Sequence, residues 1–189
     1  MKTVEPIRDE VLVKEIADWM KTSSADDPEL CERNFVLWMM GIYSGLRISD
    51  IVKNRISVVK GKKSLTLREN KTGKQTIIEI APPLRMCLAK YCSSREPEEY
   101  LIRSRKGYNK PITRQQAYNI LNKMADHFKL DNIGCHTMRK TFGYHFYKKY
   151  NEIATLMNIF NHSSQSITLR YIGIDQEEIG MKMKKFRIF

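Results

Sequence analysis

Tyr171 closes the segment N-H-S-S-Q-S-I-T-L-R-Y, nine residues after His162. Upstream stand an H-x-x-R pair, His136 and Arg139, a lone Arg47 after S-G-L, and Lys71 in E-N-K-T-G-K. A phenol grouped with arginines, lysine and imidazoles has the parts for attack on a phosphodiester. That reaction, run without a metal, needs an in-line nucleophile, cations on the non-bridging oxygens and an acid for the departing oxygen. Arginine suits the cation role, because its planar fork donates two parallel hydrogen bonds and never loses its charge. Lysine suits the acid role when neighbouring cations lower its pKa. Tyrosine, with a free pKa near ~10, becomes a nucleophile only where positive neighbours stabilise the phenolate.

Each residue also has a plain structural reading. H-x-x-R at a helix start is commonly a surface pair, although three-residue spacing puts both side chains on one face. The same helix N-terminus turns backbone N–H groups toward any bound phosphate. Arg47 with Asp50 one turn on reads equally as a surface ion pair, Lys71 as a solvated turn residue, and Tyr171 as a core aromatic. T-G-K at 72–74 is not a nucleotide-binding phosphate loop, which needs Gly where Arg68 stands and Ser or Thr where Gln75 stands. The ordered set, not any one member, carries the chemistry.

The charge distribution points the same way. The chain has 189 residues and a net charge of +12. Residues 1–32 hold nine acids and four bases, leaving 29 bases and 12 acids for the other 157 residues. So one-sided a remainder fits a polyanionic partner, most simply nucleic acid, with solubility as the bland alternative. Residues 55–74 concentrate seven bases (Arg55, Lys60, Lys62, Lys63, Arg68, Lys71, Lys74) against Glu69 alone. Lys62, Lys63, Lys74 and also Lys140 are assigned to DNA contact. Cys31, Cys87, Cys92 and Cys135 have no close ligand spacing, so they predict reduced thiols and no metal site. No apolar run reaches membrane-spanning length and no signal-peptide pattern opens the chain, which predicts a cytoplasmic protein.

The elements that must position these residues are mostly helical. Apolar spacing predicts a helix over 9–21, then one started by Asp27-Pro28-Glu29 and ending near Ser44–Gly45. A short helix follows, with Ile48, Ile51 and Val52 turned inward. From about 55 to 81 the β-branched runs I-S-V-V-K, S-L-T-L-R-E and Q-T-I-I-E-I predict a three-stranded antiparallel meander. Thr113 with Gln116 forms a capping box. Further helices are predicted over 137–149, 152–160, 165–171 and 176–186, with Asn161 as a left-handed C-cap. The expected fold is α+β: one mostly α-helical domain with a small three-stranded antiparallel sheet.

G-L-R-I-S-D at 45–50, H-T-M-R-K-T-F at 136–142 and N-H-S-S-Q-S-I-T-L-R-Y at 161–171 together resemble the three boxes of the tyrosine recombinases, the phage-type integrases. The resemblance covers about residues 5–180 and implies that family's catalytic-domain fold. It implies that Tyr171 attacks the scissile phosphate to leave a 3′-phosphotyrosyl link and a free 5′-hydroxyl. Arg47 and Arg139 would clamp the non-bridging oxygens, and Lys71 would protonate the 5′ oxygen. His136 would assist proton transfer or hold the phosphate, His162 would donate a hydrogen bond to it, and Asp50 would orient its neighbours. No cofactor is implied, because the phosphotyrosine conserves the bond energy without ATP or a divalent ion.

The implied partners are double-stranded DNA and further protomers assembled on it. A basic C-terminal tail, about 175–189, would dock on a neighbouring protomer or else close its own core. Lys140 stands where the family often has histidine, and Asn161 where it usually has glycine. The family's N-terminal core-DNA-binding domain is absent from this sequence. A minimal enzyme, a fragment and a protein needing an accessory DNA-binding protein all fit that difference. Type IB topoisomerase-like relaxation and a non-catalytic DNA-binding regulator of recombination are the alternative functions.

Overall fold

Local caps and apolar faces set the helices. The computed structural model describes residues 4–24, 26–68, 73 and 75–187. Asp9 caps α1 (Glu10–Met20) by accepting from the Val11 and Leu12 amides, and the helix buries Ile16 and Met20. Asp27 caps α2 (Pro28–Ser44), which runs through the middle of the core with Trp38 and Met40 fully buried. Gly45, at φ 64°, ends α2 in the left-handed region that glycine adopts without Cβ strain. Arg47 then leads into α3 (Ile48–Val52), followed by α4 (Ile56–Val59).

Among the described residues the sheet has two strands, β1 (Ser64–Arg68) and β2 (Gln75–Glu79), paired antiparallel with Ser64 opposite Glu79 and Arg68 opposite Gln75. The expected first strand, I-S-V-V-K, is instead α4. Ile56 and Val59 are the residues it buries, and they lie three apart. That is a helical period, so inward packing overrides the strand preference of branched side chains. The Ile56 and Ser57 amides bond to the Glu99 and Pro97 carbonyls, which leaves only an isolated Arg55–Tyr100 bridge of extended pairing. Lys71 and Lys74 lie outside the described residues. Lys62 and Lys63 are exposed just before β1.

The chain returns to helix in α5 (Pro82–Cys92), crosses a loop, and enters α6 (Arg114–Phe128) through the Thr113–Gln116 capping box, closed in both directions. Then come α7 (Thr137–Tyr150), α8 (Ile153–Phe160), α9 (Gln165–Ile172) and α10 (Ile174–Lys185). Two hydrophobic clusters result among the described residues. The larger joins α1 to α6 and the sheet, and includes Met138 of α7. The smaller contains Tyr144, Leu156, Phe160, Ile172 and Ile174. Gly143 lets α8 and α9 approach α7: a Cβ there would sit 2.7 Å from both Phe160 and Ile172.

Ahead of α1, the extended run 4–9 straps across α7. The Ile7 amide donates to Thr141 Oγ1 at 3.0 Å, and the Ile7 carbonyl lies 2.9 Å from His145 Nε2. On α10, Met181, Met183 and Phe186 at its end are exposed, so they do not close the chain's own core. Phe189 lies outside the described residues. Among those residues, no helix is long and apolar enough to cross a membrane.

Candidate active site

Three helix junctions meet at one place. The first is the end of α2, where the turn through Gly45 and Leu46 delivers Arg47. Asp50, one turn into α3, is buried and lies 3.4 Å from Lys53 Nζ. The second is the start of α7, with His136 at the N-cap position and Arg139 one turn along. The third is the α8–α9 corner. Asn161, at φ 52°, ends α8 left-handed, and the His162 amide bonds back to the Met157 carbonyl at 3.0 Å. This six-to-one bond locks the corner and fixes where His162 leaves the chain. Ser164 then caps α9, which carries Tyr171.

Arg139 is buried, and its fork binds two of these junctions. Nη1 donates to the Gly45 carbonyl at 2.5 Å and Nη2 to the Phe160 carbonyl at 3.0 Å. Each carbonyl lies at a helix C-terminus, where a cation is favoured by the exposed peptide dipoles. The guanidinium also sits 4.3 Å from the centre of the Phe160 ring.

The phenol of Tyr171 lies within this frame, with Oη 3.1 Å from His136 Nδ1. Its ring meets those of His162 and Phe160 edge-on, at 5.2 and 5.4 Å. Burial pushes the Tyr171 hydroxyl above its ordinary pKa, while Arg139 and Arg47 and a hydrogen bond from Arg139 pull the other way. At rest the phenol therefore keeps its proton. His136 moves in the opposite sense: desolvation, then the charges of Arg139, Arg114, Arg47 and Lys140, hold it below the usual imidazole range. His136 is an exposed residue, and its Nδ1 lies against the Tyr171 hydroxyl. A neutral Nδ1 can accept the proton that the phenol donates.

A model of the phage integrase family matches residues 10–178. The chain is 40% identical over 186 residues to the probable integrase/recombinase YoeC of Bacillus subtilis (strain 168), covering 98% of each. The chain belongs to the phage integrase family, the tyrosine recombinases. It spans about half the length of other curated recombinases that it matches. Its fold is that of tyrosine recombinase catalytic domains. The crystal structure of XerA recombinase superposes with a TM-score of 0.73 at 18% identity, covering 99% of this chain and 68% of that one. XerH site-specific recombinase, bound to its difH substrate in a pre-cleavage complex, superposes at 0.72 with 16% identity, covering 95% and 53%.

Of the residues singled out in the sequence of this recombinase, Arg47, His136, Arg139, His162 and Tyr171 come together, and the Asp50 amide bonds to the Arg47 carbonyl at 2.8 Å. Lys140 departs from expectation. It is buried, donates from Nζ to the Val4 carbonyl at 2.7 Å, and lies 5.1 Å from the Tyr171 ring centre. One residue step rotates a helix by about 100°, which turns Lys140 away from the Arg139 face toward the strap. Two further residues belong to the neighbourhood. Arg114 begins α6 and adds positive charge at His136. Thr168 lies 3.1 Å from His162 Nδ1. The Thr113 cap located the start of α6, but only the tertiary fold brings the charge of Arg114 to His136.

Proposed function

We propose that this recombinase cleaves and rejoins duplex DNA at specific sites through a 3′-phosphotyrosyl intermediate, without metal or ATP. The observation that carries the reading is the hydrogen bond between Tyr171 Oη and His136 Nδ1, beside the charges of Arg47 and Arg139. In the forward step Oη bonds to phosphorus and its proton passes to His136 Nδ1. The bond from phosphorus to the 5′ oxygen breaks, and Lys71 gives that oxygen its proton. Arg47 and Arg139 neutralise the non-bridging oxygens, where charge concentrates in the transition state. Reversal with a different 5′-hydroxyl rejoins the strand. His162 hydrogen-bonds the phosphate, and Asp50 steadies the turn that carries Arg47.

DNA as partner is supported by the basic surface that includes exposed Lys62 and Lys63, and by the difH complex of XerH. Phosphate contacts of this kind supply affinity and salt dependence more than sequence reading. The exposed Met181, Met183 and Phe186 support assembly of several protomers on the DNA, through the C-terminal segment.

The test uses nicked duplexes from a random-sequence library, with chelator present and ATP absent. Wild-type protein should enrich sequences that form a denaturation-resistant protein–DNA adduct, and Tyr171→Phe should form none. An adduct retained by Tyr171→Phe, or none from the wild type across the library, overturns the reading.

A further inference from the structure

Thr168 is fully buried, one turn before Tyr171 on α9. Its hydroxyl meets two groups. It donates to the Ser164 carbonyl at 3.2 Å, and it lies 3.1 Å from Nδ1 of His162. A threonine hydroxyl has one proton and two lone pairs. With the proton committed to Ser164, the contact with His162 is a hydrogen bond only when Nδ1 carries the hydrogen. In the opposite arrangement the hydroxyl would donate to a bare Nδ1. Its lone pairs would then go unused in a buried site, where polar capacity is normally filled. The Ser164 carbonyl, which also accepts from the Thr168 amide at 3.3 Å, would lose the hydroxyl.

We infer that Thr168 is a positioning residue that fixes the neutral His162 ring in its Nδ1–H form, so that its lone pair lies on Nε2. The relay runs from His162 Nδ1 to Thr168 Oγ1 to the Ser164 carbonyl. Ser164 is itself the cap of α9, accepting from the Ile167 amide at 3.3 Å. The tautomer of the imidazole and the start of the nucleophile's helix are thus set by one short chain of bonds. The rings of Phe160 and Tyr171 lie 5.3 and 5.2 Å from the His162 ring and restrict its tilt. Held at Nδ1, the imidazole can change protonation at Nε2 without turning. A neutral ring accepts there, and a protonated ring donates there. This deepens the proposed reaction by assigning which nitrogen of His162 serves the phosphate.

Long-range 1H–15N correlation spectra of 15N-labelled protein at about pH 9, above the ordinary imidazole range, read the tautomer directly. Wild type should show the His162 proton on Nδ1. Thr168→Val should move it to Nε2, and Thr168→Ser should keep it on Nδ1. In adduct formation Thr168→Val should be slower by about tenfold, with Thr168→Ser restoring most of the rate. A wild-type ring protonated at Nε2, or a Thr168→Val spectrum unchanged from wild type, overturns the inference. If Thr168→Val does not fold, the wild-type and Thr168→Ser spectra still decide it. The spectra need no DNA, so absence of an adduct from wild type would count against the reaction and not against the tautomer.

Discussion

Tyr171 and His136 are joined side chain to side chain within a single chain, Oη to Nδ1, across 35 positions of sequence. The phenol is therefore docked beside its own subunit's arginines, and it carries its proton there. In the proposed reaction His136, in its neutral form, is the acceptor for that proton. As pH falls through the lowered pKa of His136, the ring gains a proton and can no longer accept one. Adduct formation should therefore rise with pH along an acid limb lying below the imidazole value of 6.5, then reach a plateau. Single-turnover rates from about pH 5 to 8 check this. His136→Gln should remove the limb and lower the plateau by about a hundredfold.

Docking within one chain also fixes which subunit supplies the phenol. A mixture of Tyr171→Phe and Arg47→Ala proteins should form no adduct, although each retains what the other lacks. Were the phenol delivered to a neighbouring site, the Arg47→Ala subunit would attack within the Tyr171→Phe subunit. Adduct recovered from the mixture would contradict the docked arrangement as the reactive one.

Arg139 should be costly to replace even with another cation. Lysine cannot span the Gly45 and Phe160 carbonyls that the fork reaches together. Losing one charge-assisted bond and leaving a buried carbonyl unpaired should cost about 2 kcal/mol. For a chain of this size that lowers Tm by roughly 4–8 °C. Thermal melts of Arg139→Lys beside Arg47→Lys separate the effects. The Arg47 variant should melt within about 2 °C of wild type while losing most of its cleavage.

The exposed pair Lys62 and Lys63 should act only through phosphates. Their double replacement by alanine should weaken binding uniformly across DNA sequences. It should also reduce the slope of log K against log salt by about 1.8. Adduct formation at saturating DNA should stay within about twofold of wild type. A change in preferred sequence would instead implicate these lysines in base reading.

The parts of the fold legible in the sequence were those set by neighbours along the chain. Asp27-Pro28, the Thr113–Gln116 box and Asn161 each satisfy helix ends locally, and each stands where its residue types predict. I-S-V-V-K misled because branched residues favour strands only where a strand partner waits, and here Ile56 and Val59 had a core to fill. Spacing brought Arg47, His136, Arg139, His162 and Tyr171 into one hypothesis. It could not show that Lys140, one step from Arg139, faces the strap. Nor could it join Arg114 to His136, since that proximity exists only in the folded chain.

The fork of Arg139 ends on one carbonyl beside each hydrophobic cluster, Gly45 next to the larger and Phe160 within the smaller. The molecule thus has a seam, and the seam runs through the candidate active site. Heat or mild denaturant should part it there first, so that catalysis fails while most of the helix signal survives.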